Sequence, residues 1–285
     1  MEKPGLVAVR PQPYSVLLPL APWEPPEIVA SALDSLARQT WPPSQLVVSV
    51  DGVLPKALQV VLERYPLSLI SMEGPGGEGV GPVLNRGLRH CLHEWVVRAD
   101  ADDLSCPQRC EIQLSHLFRD PELVVVGSVI SEFIDDPSQP IALRDVPLSW
   151  KGIDRLSRWR NPMNHPSVVF RRSVVEAVGG YRNLPGFEDY ELWLRLLCRG
   201  FELRNVEMPL VAARVGQAHL SRRRGWLYAI KECRFLIVCW RSRYFSTGRM
   251  LLLLFLRVPM RLIPAPLLAW LMLHGLRSWK RGNAR

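Results

Sequence analysis

Short apolar runs alternate with amphipathic segments through the first hundred residues of this 285-residue chain. An apolar run of four to eight residues is typical of a strand buried on both faces, and apolar residues at three- and four-residue steps indicate a helix. The pattern predicts four strands separated by helices, the strands covering Tyr14–Leu20, Gln45–Val50, Leu67–Met72 and Trp95–Ala99. This alternation favours an α/β fold with a doubly wound, mainly parallel sheet that binds ligands at the carboxyl ends of its strands.

The same signals continue through the first 213 residues, which look like one domain. They predict helices over Pro107–Phe118 and Glu188–Cys198, and strands over Leu123–Ile130 and Ser167–Arg171. The six cysteines show no paired spacing of a zinc site, so reduced thiols of a cytoplasmic protein are expected. The proline-broken start of the chain does not resemble a signal peptide, and no apolar run reaches the length of a confident membrane span.

Charge is distributed unevenly along the chain. The net charge is +9, but residues 1–213 carry 21 Lys/Arg and 26 Asp/Glu, whereas residues 214–285 carry 15 and 1. A net −5 body is therefore followed by a net +14 tail. This division argues against a basic nucleic-acid-binding domain, and no nucleic-acid partner is expected.

Acidic residues follow two of the predicted strands at the edge where such sheets bind ligands. Asp51 comes after the second strand, and Asp100, Asp102 and Asp103 come after the fourth. Alternating carboxylates suit a hard divalent ion, although an acidic turn that caps the next helix is an equal alternative on residue type. The mutual repulsion of three close carboxylates favours the cation.

Three further segments are candidates for the site. The glycine-rich stretch 74–81 is a weak signal for a phosphate cradle, and Arg86 on the next helix would reach a pyrophosphate or face solvent. His165 lies in a stiff proline-bounded loop, as a substrate or metal neighbour or as a structural side chain. Glu188 and Asp189 open a helix, where acids act as simple caps or, at the mouth of the sheet, as a general base.

Four segments in this order resemble the family 2 glycosyltransferases of the GT-A fold: VRADADDLSCPQR, RNPMNHPSVVFR, GGYRN and EDYELWLRL. They are similar, more narrowly, to bacterial exopolysaccharide and O-antigen glycosyltransferases of the amylovoran-biosynthesis type. The resemblance covers about residues 14–225. It implies a GT-A catalytic domain over residues 1–220, with a Rossmann-like nucleotide-binding core.

The resemblance also implies roles for single residues. Asp51 matches the acid that contacts the nucleotide base or ribose, and Asp100 and Asp102 match the pair that binds the ribose and a Mg²⁺ or Mn²⁺ ion on the diphosphate. Asp189 matches the catalytic base, with Glu188 beside it. Donor contacts are also expected from Arg86, Arg98 and His165, while Asp103, Arg109 and Asn164 match motif positions without an assigned task.

The chain departs from the family pattern in two places. Ala21-Pro22-Trp23 follows the first strand, where a polar pair is common, so a base contact from this loop is doubtful. In the family, the histidine that often completes the metal shell follows an arginine-containing strand, which matches Leu210–Val215 here. That histidine would fall near Gly216, and His219 is offset from this position.

The activity implied is a metal-dependent, inverting transfer of a sugar from a nucleotide-diphosphate donor, with a UDP-sugar favoured, to a saccharide or lipid-linked acceptor of cell-surface polysaccharide. A carboxylate would deprotonate the acceptor hydroxyl, and a cation would stabilise the leaving diphosphate. The alternative is a catalytically degenerate scaffold of the same fold that docks at membranes.

Residues 221–285 mix apolar and basic residues and are expected to form a helical tail. Its second apolar run, Leu262–Leu276, contains two prolines and is too short for a comfortable span. An interfacial anchor on an anionic membrane surface fits best, at the inner face of the cytoplasmic membrane. A spanning hairpin and a helix packed on protein remain alternatives.

Overall fold

A computed structural model describes residues 12–65, 69–216 and 224–262. The chain divides after Val215 into two compact units, which are described separately. The strands of the first unit are β1 Tyr14–Leu20, β2 Gln45–Val50, β3 Leu69–Met72, β4 Trp95–Arg98, β5 Leu104–Ser105, β6 Leu123–Phe133, β7 Ala142–Arg144, β8 Val169–Arg171 and β9 Glu202–Arg214. Its helices are α1 Pro26–Ala37, α2 Lys56–Leu62, α3 Val80–Leu88, α4 Arg109–Arg119, α5 Trp150–Ser157, α6 Arg172–Ala177 and α7 Glu188–Cys198.

The strands form one mixed sheet in the order β3-β2-β1-β4-β8-β6-β9-β5, with β7 paired to β6. The first four strands are parallel, as the alternation predicts. Beyond β4 the direction changes, because β8 is antiparallel to both β4 and β6, while β6 and β9 run parallel. The α/β class is confirmed, and the sheet is parallel only in part.

The predicted elements agree closely with the structure where an apolar run has clear ends. The bounds of β1, β2 and α7 are those expected, while β9 begins eight residues before its predicted start. The sequence did not predict β5, β7, α5 or α6, because these are short and half-exposed and carry little periodicity.

Helix α3 lies directly on the parallel part of the sheet. A Cβ atom added at Gly87 would lie 2.4 Å from Leu17 Cδ1 and 3.2 Å from Ser49 Cβ. Only glycine therefore permits this close approach of helix and strands. The contact fixes α3 near the carboxyl ends of β1 and β2, where the predicted site residues lie.

The described part of the second unit consists of α8 Trp226–Arg241 and α9 Thr247–Leu262. Both fall within the predicted helical tail. The apolar run Leu262–Leu276 lies outside the described residues apart from Leu262, and so does His219. Within the part of the chain that the structure describes, no helix combines the length and apolar character needed to cross a bilayer. The six cysteines are free thiols.

Candidate functional site

Asp51 follows β2 and lies against the glycine-rich stretch 74–81. Its carboxylate oxygens accept the backbone N–H groups of Glu78 at 3.0 Å and Gly79 at 3.3 Å. Gly79 has a φ of +84°, in the left-handed region that favours glycine, and this bend lets the stretch fold over the carboxylate. The stretch is therefore shaped around Asp51, which binds two of its N–H groups.

Arg86, on α3, contacts the same stretch. Its guanidinium forms an ion pair with Glu78, and its Nη2 donates to the carbonyl oxygen of Val50 at 2.6 Å. A Cβ atom at Gly74 would lie 2.4 Å from Nη1, so a larger residue there would displace the guanidinium. The structure thus places Arg86 beside Asp51, and its contact with a pyrophosphate stays a prediction.

Asp100, Asp102 and Asp103 cluster in the turn after β4. Each offers one carboxylate oxygen within 4.8 Å of the others, and this is the one group with metal-site spacing among the described residues. Burial, together with the charges of Asp100 and Glu24, raises the pKa of Asp102 to about 6. The pKa of Asp103 is also raised, by burial and by both neighbouring carboxylates. Hard oxygen donors whose repulsion a cation would relieve are a donor set that fits Mg²⁺ or Mn²⁺.

Arg98 supplies the nearest positive charge to this cluster. It is buried at the end of β4, and its Nη1 lies 2.5 Å from Asp100 Oδ2. Arg109 braces this strand end from α4, because its Nη2 donates to the carbonyl oxygen of Arg98 at 2.6 Å. The same guanidinium donates to Ser105 Oγ and Gln113 Oε1, and burial lowers its pKa to about 10. Arg109 therefore holds the turn that carries the acids.

Asp103 joins the cluster to the far part of the sheet. Its Oδ1 accepts the backbone N–H of Arg214, the last residue of β9, at 2.9 Å. The Arg214 guanidinium lies over the Phe133 ring at 4.7 Å and donates to the carbonyl oxygen of Ile134. The Asp103 carboxylate thus fixes the end of β9 beside the acidic turn.

Glu188 and Asp189 open α7, and both carboxylates have partners. Glu188 Oε2 accepts the backbone N–H of Gly186 at 2.7 Å, and Asp189 Oδ2 accepts the side-chain amide of Asn161 at 2.6 Å. Burial and the charge of Asp189 raise the pKa of Glu188 to about 7. Burial also raises the pKa of Asp189, against the lowering effect of its bonds to Asn161 and to the N–H of Tyr190. Raised carboxyl pKa values of this kind suit a base that works near neutral pH.

His165 lies in a short 3₁₀ turn and is held by aromatic residues. Its Nε2 lies 3.1 Å from the Tyr181 hydroxyl, and its ring packs against the rings of Tyr181 and Trp193. Burial and the nearby charge of Arg98 keep the pKa of His165 well below its ordinary value, so the imidazole is neutral. Asn85 secures Tyr181 in turn, since its amide bonds both the N–H and the carbonyl oxygen of that residue.

Arg98 connects the two groups of acids. Its charge lowers the pKa values of Asp102 and Asp103 on one side and of Glu188 and Asp189 on the other. The residues predicted after β4 and those predicted at α7, nearly ninety positions apart in sequence, therefore share one electrostatic environment.

The sequence did not identify three residues that hold this site together. In the sequence, Asn161 appears only as part of the segment RNPMNHPSVVFR that contains His165. Tyr181 appears only as part of the segment GGYRN. Asn85, on α3, carries no sequence signal of its own, and it supports the Tyr181 loop. A stiff loop and a Gly-Gly-Tyr turn are signals of positioned backbone, but neither specifies a partner far along the chain.

Comparison with known proteins gives a consistent result. The profile of the family described as "Glycosyl transferase family 2" matches residues 24–179. The amylovoran biosynthesis glycosyltransferase AmsE of Erwinia amylovora is 34% identical over 90% of this chain and 97% of its own. The UDP-Gal:alpha-D-GlcNAc-diphosphoundecaprenol beta-1,3-galactosyltransferase of Escherichia coli is 31% identical over 88% of this chain and 92% of its own.

The fold has counterparts among solved structures. The mannosyltransferase PcManGT of Pyrobaculum calidifontis, in complex with GDP-Man and Mn²⁺, superposes with a TM-score of 0.64 at 19% identity, covering 94% of this chain and 83% of the other. At this identity the likeness concerns the fold, which is the GT-A fold that the motifs predicted.

Proposed function

The chain belongs to glycosyl transferase family 2, as its motifs suggested, and we propose from this premise that it transfers a sugar from a nucleotide-diphosphate donor to an acceptor hydroxyl by a single inverting displacement. The observation that carries the proposal is the convergence of two acidic groups around Arg98. One group, Asp100 and Asp102, has the donor set for a divalent cation. The other, Glu188 and Asp189, consists of two carboxyl groups with raised pKa values, and it supplies the proposed base.

Asp189 is the proposed base. Its Oδ2 is held by Asn161, and its Oδ1 accepts the backbone N–H of Tyr190 at 2.7 Å, so the carboxylate has a fixed orientation. A fixed, largely desolvated carboxylate accepts a proton from an attacking hydroxyl more readily than a solvated one. Glu188 adds negative charge beside it, which raises the proton affinity of the pair.

The donor is held, in this proposal, by residues at the carboxyl ends of β2 and β4. Asp51 takes the ribose or base, and Asp100 and Asp102 take the ribose and a Mg²⁺ or Mn²⁺ ion. Such an ion, when bound, stabilises the charge that develops on the leaving diphosphate. Arg86, Arg98 and His165 complete the proposed donor contacts, with the neutral His165 acting as a hydrogen-bonding group and not as a cation.

A UDP-sugar is the favoured donor, and the acceptor is a saccharide or lipid-linked saccharide of cell-surface polysaccharide synthesis. The support is the names of two relatives: the Escherichia coli enzyme is named for UDP-Gal and a diphosphoundecaprenol acceptor, and AmsE for amylovoran biosynthesis. A lipid-linked acceptor would place the reaction at the inner face of the cytoplasmic membrane. We assign catalysis to residues 1–220, the domain that the resemblance implies.

A transfer assay tests this function. The full chain is incubated with Mn²⁺, a lipid-linked saccharide and a panel of UDP-, GDP- and dTDP-sugars, and release of the nucleoside diphosphate is measured. We expect turnover with a UDP-sugar, its loss in Asp102→Ala and Asp189→Asn, and its retention in Asp136→Asn, which changes an exposed turn. Full activity of either site variant would contradict the assignment. Donor binding without turnover of any panel member would favour the degenerate scaffold.

A further inference from the structure

The two helices of the second unit expose many large apolar side chains to solvent. In most water-soluble helical hairpins such side chains are turned inward, and an exposed apolar patch of this extent indicates an interaction surface. Ten of the residues between positions 226 and 262 are exposed in this way: Trp226, Leu227, Ile230, Ile237, Trp240, Leu251, Leu252, Phe255, Leu256 and Met260. We call this set the apolar surface of α8 and α9.

Four of the five exposed apolar residues of α8 form one stripe, and Leu227 lies to one side of it. Trp226, Ile230, Ile237 and Trp240 are separated by four, seven and three positions, so they lie on the same side of the helix. The stripe runs for about 21 Å between its two tryptophans. The exposed Lys231, Arg234 and Arg241 lie along one flank of it. An apolar stripe ended by tryptophan and flanked by basic residues is the composition of a helix that lies in a membrane interface.

Helix α9 exposes a set of large apolar side chains to solvent. Leu251, Leu252, Phe255, Leu256 and Met260 recur at one-, three- and four-residue steps, and Phe255 is 77% exposed. These residues would be costly to leave in water, yet they make up most of the outer side of the helix.

Two of the three charged residues of α9, Arg257 and Arg261, are instead turned toward α8. Arg257 Nη2 lies 2.5 Å from Glu232 Oε1, and Arg261 Nε lies 2.6 Å from Glu232 Oε2, while Glu232 itself is fully buried. The hairpin therefore holds these ion pairs between its helices, while ten large apolar side chains remain exposed. This arrangement suits contact with an apolar phase on the outer side.

The positive charge of the described part of this unit favours an anionic binding partner for the apolar surface. Residues 224–262 carry eight Lys or Arg and one Glu, a net charge of +7. A second copy would bring the same positive flanks together, because a symmetric contact pairs a surface with itself. Anionic lipid headgroups complement the charge, and acyl chains complement the apolar residues.

We propose that α8 and α9 form a monotopic docking surface for an anionic lipid bilayer, with the apolar surface in the acyl boundary and Lys231, Arg234 and Arg241 at the headgroups. This goes beyond the proposed transfer reaction and does not depend on it, because lipid binding is measured without donor or acceptor.

Vesicle flotation of the full chain tests the proposal. The probes are vesicles of phosphatidylcholine alone and vesicles that also contain about 30% phosphatidylglycerol. We expect binding to the anionic vesicles that weakens with added salt. Lys231→Gln/Arg234→Gln should weaken it about 25-fold, at about fivefold per charge. Leu252→Ser/Phe255→Ser should weaken it by at least about tenfold.

The matched control is Leu92→Ser/Leu143→Ser, which removes two exposed apolar side chains of the first unit and should bind like the unchanged chain. Circular dichroism establishes that each variant is folded, and the charge variants alter exposed side chains only. Equal binding to neutral and anionic vesicles would overturn the proposal, as would unchanged binding of both variant pairs. A dimer in light scattering that Leu252→Ser/Phe255→Ser converts to monomer, with vesicle binding intact, would assign the surface to self-association instead.

Discussion

Replacement of Asn161 should shift the pH dependence of the transfer reaction. Its Nδ2 donates to Asp189 Oδ2 over 2.6 Å, and its Oδ1 accepts the backbone N–H of Met163 at 3.2 Å. The second contact fixes the amide so that its NH₂ group faces the carboxylate. Burial raises the pKa of Asp189, and the bond from Asn161 is the largest of the contacts that lower it.

The size of the shift follows from this hydrogen bond. A bond to a charged group contributes about 1.5–3 kcal/mol, and one pH unit corresponds to about 1.36 kcal/mol. The base works only when it is unprotonated, so a higher pKa moves the acid limb of kcat to higher pH. Asn161→Ala should therefore move that limb upward by about one to two pH units. Asn161→Asp should move it further, because it places a second carboxylate against Asp189.

The assay is kcat from about pH 5 to pH 9 at saturating donor and acceptor. Near the alkaline end, Asn161→Ala should recover most of the activity of the unchanged enzyme. Gln139→Ala is the matched control, since it removes an amide–carboxylate bond of 3.1 Å to Asp136 in an exposed turn. A loss of kcat by the same factor at every pH, with an unmoved acid limb, would refute the proposed effect on Asp189.

Three other substitutions test the site and its support. Burial and the charge of Asp189 raise the pKa of Glu188 from 4.5 to about 7, so the ionised carboxylate lowers the stability of the folded chain only above about pH 4.5. Glu188→Gln should therefore raise Tm at about pH 8 but not at about pH 4. A difference in Tm that is the same at both pH values would contradict this. Mn²⁺ with UDP should raise the Tm of the unchanged chain and of Asp136→Asn but not of Asp102→Asn, and an equal rise in Asp102→Asn would contradict the metal assignment. Gly87→Ala places a Cβ 2.4 Å from Leu17 Cδ1. The variant should be less stable, because overpacking costs about 1–3 kcal/mol and the higher helix propensity of alanine returns about 1 kcal/mol. Urea unfolding that shows a more stable variant would disprove this.

The sequence predicted those parts of the fold whose signals are local. The apolar runs of β1 and β2 end at Pro22 and at Asp51-Gly52, so their limits could be read directly. Asp51 and Asp100 were visible as site residues because they follow buried strands at the ligand-binding edge. The antiparallel course of β8 was not visible, because an apolar strand has the same composition in either direction.

The supporting contacts depend on tertiary structure and have no local signal. Asn161 and Asp189 are 28 positions apart, and Asn85 and Tyr181 are 96 apart. Arg109 is a charged residue at the start of a helix, where exposure to solvent is expected. It is only 1% exposed, however, and its guanidinium donates three hydrogen bonds. Only the assembled fold shows which polar side chains become structural.

The charge of Arg98 acts on both groups of acids. Because the charge of its guanidinium lowers the pKa values of Asp102 and of Asp189, a bound group that drew Arg98 away from Asp189 would raise the pKa of the base. Thermodynamic linkage makes such an effect reciprocal, so protonation of Asp189 would also change the affinity for that group. On the proposed assignment that group is the donor, and its dissociation constant should then depend on pH.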